Sequence, residues 1–340
     1  MKEAVDQLLR CERWSRAYRI QRDTLPAFHR RCSEVLGAGF TLRPLDPPVL
    51  APERNLFSTL FIAAAAGLGL DEGRLRHYAM VNQCMRALVT GCDNILDDEY
   101  KETIAFSVEG GGTKFLSVLT VMVADRVLSG LAADSIEEGR LSAAQAKRLT
   151  SSVLEVLLPS GLQEHEEEAH ALRSPPAPEQ VIHDIHHRKT GMLFQAPLLI
   201  IASMDDATPE RVAPAADALH SLGLACQALD DLVDANADLH RRRPNLVISL
   251  AYHGDDESER DYVSHRLFDP APYSGEPSST LAAARESCRK IAAAFLEQAA
   301  TGLQAAIDGF GPAHATALVQ AITFAIAGAA AARVTEIGAV

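Results

Sequence analysis

Two acidic runs, each arriving directly behind an apolar stretch, constrain this chain more than any other feature. The first is Asp93-Asn94-Ile95-Leu96-Asp97-Asp98-Glu99, behind Ala87-Leu88-Val89. The second is Asp230-Asp231-Leu232-Val233-Asp234 with Asp238 following, behind Leu222 to Leu229. On a helix of about 3.6 residues per turn, Asp93 and Asp97 share a face, and Asp230, Asp234 and Asp238 repeat that spacing. Carboxylates stacked beside a core repel one another and are costly to desolvate unless a cation neutralises them. Hard oxygen donors so arranged suit Mg2+, which bridges carboxylates and substrate phosphates. Two such faces looking at each other make a metal–diphosphate clamp. The bland alternative is a solvated helix face, the usual fate of charge runs. Two matched clusters flanking apolar helices argue against it, although Asp98 and Glu99 individually read as solvated.

The rest of the chain reads as all-α. Apolar residues recur at helical spacing over Val5–Val35, Leu56–Leu70, Leu75–Leu96, Phe115–Leu131, Ala143–Leu158, Gln180–Ile201, Pro209–Asp238, Thr280–Gly309 and Pro312–Ile337. Breakers separate them: the Pro-rich Gly37–Pro52, Gly110-Gly111-Gly112, Ser174-Pro175-Pro176-Ala177-Pro178 and Arg243-Pro244-Asn245. His253–Ser279 is long, polar and Pro/Gly-bearing, and reads as a mobile loop. With no linker clean enough to cut the chain, residues 1–340 are expected to form one large helical bundle, residues 1–50 being its N-terminal helices.

Charge and composition exclude other classes. With 32 Lys+Arg against 45 Asp+Glu the net charge is -13, which argues against nucleic-acid binding. Cys11, Cys32, Cys84, Cys92, Cys226 and Cys288 show no CxxC pair and read as reduced thiols. The apolar runs Leu56–Leu70 and Ala317–Ala332 fall short of a membrane span. A cytoplasmic protein is expected.

Four landmarks, in order and nearly in register, resemble the trans-isoprenyl diphosphate synthases and the class I terpene synthases that share their fold. Asp93-Asn94-Ile95-Leu96-Asp97 is similar to the first Asp-rich motif, with Asn in place of its second Asp. Asp125 sits where the family has a Gly-Asp pair, and Lys189-Thr190-Gly191-Met192-Leu193-Phe194 is similar to the family's Lys-Thr-Gly-x-Leu-Phe. Gln227 to Asp234 with Asp238 resembles the second motif. The resemblance spans about Arg54 to Leu250. It implies Mg2+, three ions with bound diphosphate, held by Asp93 and Asp97 on one wall and by Asp230, Asp231, Asp234 and Asp238 on the other. Lys189, Gln227 and Arg241, with Arg242 and Arg243, would meet the diphosphate. Leu88, Cys92, Phe115, Met192 and Phe194 would line an apolar well for the prenyl chain. A homodimer is expected by analogy.

The departures concern the second substrate. Elongating synthases bind a homoallylic diphosphate through a Gly-Lys-x-x-Arg-Pro stretch, a His before the first motif and an Arg-Arg pair after it. Here Gly39-Phe40-Thr41-Leu42-Arg43-Pro44 lacks the Lys, Arg86 replaces the His, and Tyr100-Lys101-Glu102 replaces the Arg pair. An enzyme that ionises an allylic diphosphate without an acceptor would turn the cation on its own double bonds. The expectation is therefore a cyclising lyase acting on geranylgeranyl diphosphate. The alternatives are elongation through a rebuilt acceptor site, with Arg86 supplying charge, and a catalytically weak partner subunit.

Weaker motifs have bland readings. Gly110-Gly111-Gly112-Thr113-Lys114 lacks the P-loop spacing and reads as a helix break. Glu164-His165-Glu166-Glu167-Glu168-Ala169-His170 places its histidines five apart, unlike a zinc-protease helix, and reads as solvated, with Gln163 facing the cavity. His183, Asp184, His186 and His187 suggest a metal phosphohydrolase less well than a helix at the mouth of the prenyl site. Phe57 and Phe61 read as core.

Overall fold

The computed structural model describes residues 1–96, 100–108, 112–169, 171–204, 209–268 and 281–328. Their regular structure is helical, apart from one isolated antiparallel bridge between Leu42 and Phe106. The helices are α1 (Lys2–Leu8), α2 (Glu12–Leu36), α3 (Leu56–Ala66), α4 (Glu72–Leu96), α5 (Thr113–Glu137) and α6 (Ala143–Ala169). The short α7 (Pro178–Gln180) continues as a π-helical segment, Val181–Gly191, into α8 (Met192–Met204). Then come α9 (Pro209–Arg241), α10 (Leu246–His253), α11 (Glu257–Phe268), α12 (Ala282–Ala306) and α13 (Pro312–Ala327).

α9 is the axis of the bundle. Leu219, Leu222, Ala225, Leu229, Leu232, Ala235 and Leu239 recur at three- and four-residue steps and are all buried. This stripe is gripped by α12, α8, α13, α10 and the π segment. Truncating a fully buried member such as Leu229 to Ala would cost roughly 2–5 kcal/mol. Gly223 meets Gly191 of the π segment so closely that a Cβ on Gly223 would lie 2.8 Å from the Thr190 carbonyl oxygen. Only a hydrogen fits there, and the contact sets Thr190 beside the acidic stretch of α9. On the other side, α4 packs against α5 and α2 and ends with Asp93 turned toward α9.

The structure departs from the sequence-based expectation at several boundaries. Val5–Val35 is broken at Leu9–Cys11 into α1 and α2. α6 runs past Pro159, which gives up one backbone donor, as far as Ala169. The expected loop His253–Ser279 contains α11, whose Glu259 caps the start of α12 by accepting from the amides of Ala283 and Ala284; residues 269–279 lie outside the described residues. α5 is long and apolar enough to cross a membrane by length and composition, which the sequence reading did not single out, and it packs on α4 and α6.

Candidate active site

Two cavities meet between α4, the π segment and α9. One is polar, about 390 Å³, and takes its charged wall from Asp93, Lys189, Asp230, Asp234 and Asp238, with Glu164 and Glu167 from α6. The other is apolar, about 450 Å³, and is walled by Phe57, Phe61, Met85, Val89 and Phe194. Thr190, Leu193, Gln227 and Asp230 line both. A polar head and an apolar tail joined at that boundary would each find matching surroundings.

The second acidic run divides by what each carboxylate is bonded to. Asp230 and Asp234, one turn apart, open onto the polar cavity. Desolvation, then repulsion from Asp234 and Asp231, raises the Asp230 carboxyl to about 6. Asp238 rises to about 7 by burial and by the same neighbours, although Asn245 donates to it at 2.9 Å. Asp231 also borders this cavity, but it is only 4% exposed and its carboxylate is taken up by protein donors. It accepts from His186 Nε2 at 2.9 Å, from the Leu246 amide at 2.5 Å and from Gln227 Nε2 at 3.3 Å. Burial works against its charge, but His186 and the Leu246 amide outweigh that and hold its pKa below the ordinary value.

Lys189 lies between two glutamates, 2.9 Å from Glu164 and 3.1 Å from Glu167. Burial opposes its charge, yet Glu167 and Glu164 together hold its pKa above the usual lysine value. Gln163 Nε2 donates to Glu167 at 3.1 Å, and the Thr190 hydroxyl donates to Gln227 Oε1 at 2.5 Å. The run Glu164–Ala169 is therefore not simply a solvated face: Glu164 and Glu167, three apart, turn inward with Ser160, and the surrounding glutamates hide that spacing in the sequence.

On the opposite wall Asp93 faces the polar cavity, while Asp97 lies outside the described residues. Asn94, where the family has its second Asp, is buried and ties the end of α4 to the backbone at Lys101. Its amide donates to the Lys101 carbonyl at 3.0 Å, and its oxygen accepts the Lys101 amide at 2.8 Å. Arg241 and Arg243 line the polar cavity, and Arg242 does not.

The expected prenyl-well residues are placed unevenly. Phe194 lines the apolar cavity, with the rings of Phe57 and Phe61 set edge-on to it at 5.5 and 5.6 Å. Those two phenylalanines are thus cavity wall as well as core. Leu88 is buried away from the cavity, Met192 is partly buried and does not line it, and Cys92 is exposed. Phe115 is 54% exposed at the start of α5, because the helix phase turns it outward. Helical neighbours of an acidic motif need not point the same way as its carboxylates, and that phase error accounts for these placements.

The region expected to hold a second diphosphate is rebuilt. Arg43 is ion-paired with Glu102 and donates to the Phe106 carbonyl, next to the Leu42–Phe106 bridge. Arg54 and Arg86 instead line the apolar cavity. Among the described residues neither guanidinium has an ion-paired carboxylate; Arg86 bonds only weakly to Asn55 and the Arg54 carbonyl, at 3.5 and 3.4 Å. Burial, then the neighbouring Arg54, pushes the Arg86 pKa down.

Comparison with known proteins agrees with the four landmarks. Residues 119–243 match the family model described as polyprenyl synthetase. No curated protein matches the sequence. A polyprenyl synthase from Roseobacter denitrificans superposes with a TM-score of 0.63 at 18% identity, covering 96% of this chain and 99% of that one. A decaprenyl diphosphate synthase from Rhodobacter capsulatus gives 0.61 at 18% identity, covering 96% and 98%. A geranylgeranyl pyrophosphate synthase from Corynebacterium glutamicum, complexed with isoprenyl diphosphate and magnesium, gives 0.60 at 16% identity, covering 92% and 98%. The chain thus has the fold of the trans-isoprenyl diphosphate synthases and a central segment that matches their family model. The expectation of a cyclising lyase is corrected by the same findings. The matching family is that of the polyprenyl synthetases, and the named structural relatives are prenyl-chain synthases, which are transferases.

Proposed function

We propose that the protein is a prenyltransferase that extends an allylic prenyl diphosphate with a homoallylic one such as isopentenyl diphosphate. The observation that carries this reading is an apolar cavity lined by charged groups of both signs. Asp230, shared with the polar cavity, lines it together with Arg54 and Arg86, and Glu53 lies beside Arg54 in the same wall. Two like-charged guanidiniums facing a cavity without ion-paired carboxylates are an anion site, and paired forks suit a diphosphate.

The carboxylates of Asp93, Asp230 and Asp234 fit a hard divalent cation. Among the described residues no three acidic, imidazole or thiol groups already converge on one point, so substrate oxygens would complete the shell, as they commonly do for Mg2+. When bound, Mg2+ would neutralise the departing diphosphate and favour its loss. Lys189 would move from Glu164 and Glu167 to the diphosphate, and Thr190 and Gln227 would fix the head at the cavity boundary. Phe57, Phe61 and Phe194 keep water from the chain, and their faces tolerate a nearby allylic cation. Arg54 and Arg86 would hold the acceptor so that its terminal carbon meets the allylic C1. The allylic C–O bond breaks, the new C–C bond forms, and one proton leaves the acceptor.

A homodimer is part of the proposal. Phe115, Val118 and Met122 on α5 and Leu154, Leu158 and Leu162 on α6 form two exposed apolar stripes on adjacent helices. A second copy would bury both.

The test is incubation of purified protein with Mg2+ and geranylgeranyl diphosphate, with and without isopentenyl diphosphate. A longer diphosphate appearing only with both substrates supports elongation. A hydrocarbon or alcohol formed from the allylic substrate alone overturns it.

A further inference from the structure

We infer that Asp231 is not a metal ligand but the buried knot through which His186 positions the walls of the diphosphate site. Its hydrogen bonds, not its place on the helix, separate it from Asp230 and Asp234. All three border the polar cavity. The Asp231 carboxylate, however, is committed to the contact between the π segment and the start of α10.

There its oxygens are already engaged. Oδ2 accepts both His186 Nε2 and the Leu246 amide, and Oδ1 accepts Gln227 Nε2. The Leu246 amide is the first of α10, one of the donors a helix leaves unpaired at its N-terminus. Asn245 completes this end. Its side-chain oxygen accepts from Val247 and Ile248, while its amide donates to the Asp231 carbonyl at 3.0 Å and to Asp238. His186 is 2% exposed and its Nδ1 has no partner, so the ring proton belongs on Nε2, pointing at Asp231.

The knot joins the three elements that furnish the site. His186 is three residues before Lys189 on the π segment. Asp231 is next to Asp230 on α9, and Leu246 follows Arg243 and Pro244. One buried hydrogen-bonded carboxylate therefore sets the spacing between Lys189 and Thr190, the acidic face of α9 and the Arg243 turn. A π segment, whose register is looser than that of an α-helix, needs such an anchor. His186 borders the polar cavity, but its Nε2 is committed to Asp231, and it is accordingly a positioning residue that acts through that carboxylate.

The inference rests on the proposed metal–diphosphate role of the polar cavity. It is tested by calorimetric binding of inorganic pyrophosphate with Mg2+ to the full chain, measured well below the melting temperature. Asp230→Asn is expected to lose more than about 100-fold in affinity, whereas Asp231→Asn, which keeps an acceptor oxygen for His186 and Leu246, loses about tenfold or less. His186→Leu is expected to lose about tenfold or more, and His186→Gln, whose amide can donate as Nε2 does, to recover to within about threefold of wild type. Rescue by Gln separates positioning from a general loss of stability. Equal losses for Asp231→Asn and Asp230→Asn would return Asp231 to the ligand set and overturn the inference. Wild-type affinity in His186→Leu would overturn it equally, and if that variant does not fold, the Asp231→Asn comparison still decides. Wild-type protein that takes up no magnesium pyrophosphate overturns this inference and the metal–diphosphate reading together.

Discussion

Asn94 holds Lys101 by both of its backbone groups, donating to the carbonyl at 3.0 Å and accepting from the amide at 2.8 Å. No carboxylate can do both, so the Asn in the first acidic motif fastens the end of α4 to the backbone at Lys101. Lys101 lines the polar cavity, and its neighbour Glu102 pairs with Arg43. Asn94→Asp should therefore weaken the fold, although it restores the family's motif. One part-buried carbonyl loses its donor, costing about 0.5–1.5 kcal/mol. Denaturant unfolding of the two proteins measures this, and equal stability would remove the fastener role.

Arg86 and Arg54 should behave as acceptor ligands. Arg86→Leu or Arg54→Leu is expected to raise the KM for isopentenyl diphosphate by about tenfold or more, the worth of one lost charge-assisted contact. The KM for the allylic diphosphate should change little. Arg43→Leu should have the smaller effect, because Glu102 already neutralises Arg43. Steady-state kinetics with each substrate varied in turn distinguishes them, and an effect confined to the allylic KM would contradict the assignment.

Asp230 and Asp238 predict a pH dependence opposite to that of ordinary ion-paired carboxylates. Their native-state values, about 6 and about 7, lie above the unfolded value near 3.8. Between about pH 4 and pH 7 the native state binds more protons than the unfolded chain, so these groups make stability fall as pH rises. Metal-free protein is expected to melt at a lower temperature at pH 8 than at pH 5.5. Asp230→Asn should reduce the difference, and Mg2+ with pyrophosphate should stabilise more at pH 8. Melting curves at the two pH values test each statement.

α9 ends with Arg242 at φ 56°, a left-handed conformation that glycine adopts freely. Arg242 does not line the polar cavity, unlike Arg241 and Arg243. Arg242→Gly should stabilise the protein by about 1 kcal/mol, since the left-handed region costs a side-chain-bearing residue roughly that much. A melting temperature that falls instead would mean that the Arg242 side chain contributes more than its backbone costs.

The acidic walls were legible in the sequence because their signal is a spacing: i, i+4 carboxylates behind apolar stretches, repeated. Lys189, Thr190 and Gln227 were legible only through the resemblance, since a lone Lys or Gln has no period. What escaped depends on helix phase and on contacts distant in sequence. Asp231 looks like its neighbours until His186 and Leu246 are seen to hold it. Glu164 and Glu167 were hidden inside a run of like charges, and Phe115 was credited to a cavity from which its helix turns it away. The cyclase expectation failed for a related reason. The absence of the family's acceptor residues was legible, whereas Arg54 and Arg86, far apart in sequence, become a pair only in the folded cavity.

Product length should be set where the apolar cavity stops. Phe61, Asn82, Met85 and Pro197 line both that cavity and a small space of about 20 Å³ that Leu75 and Ile201 also line. These residues are the floor between the two spaces. Met85 is unbranched, lies on α4 two turns before Asp93 and is 5% exposed, so its truncation joins the small space to the cavity with the least disturbance to the backbone. Met85→Ala should cost about 2–5 kcal/mol of stability. It should also shift products toward longer chains, because the added volume extends the apolar cavity. Chromatography of the dephosphorylated products of the two enzymes, at matched substrate ratios, decides the matter. An unchanged distribution would place the stop elsewhere, with the ring of Phe61 as the next residue to truncate.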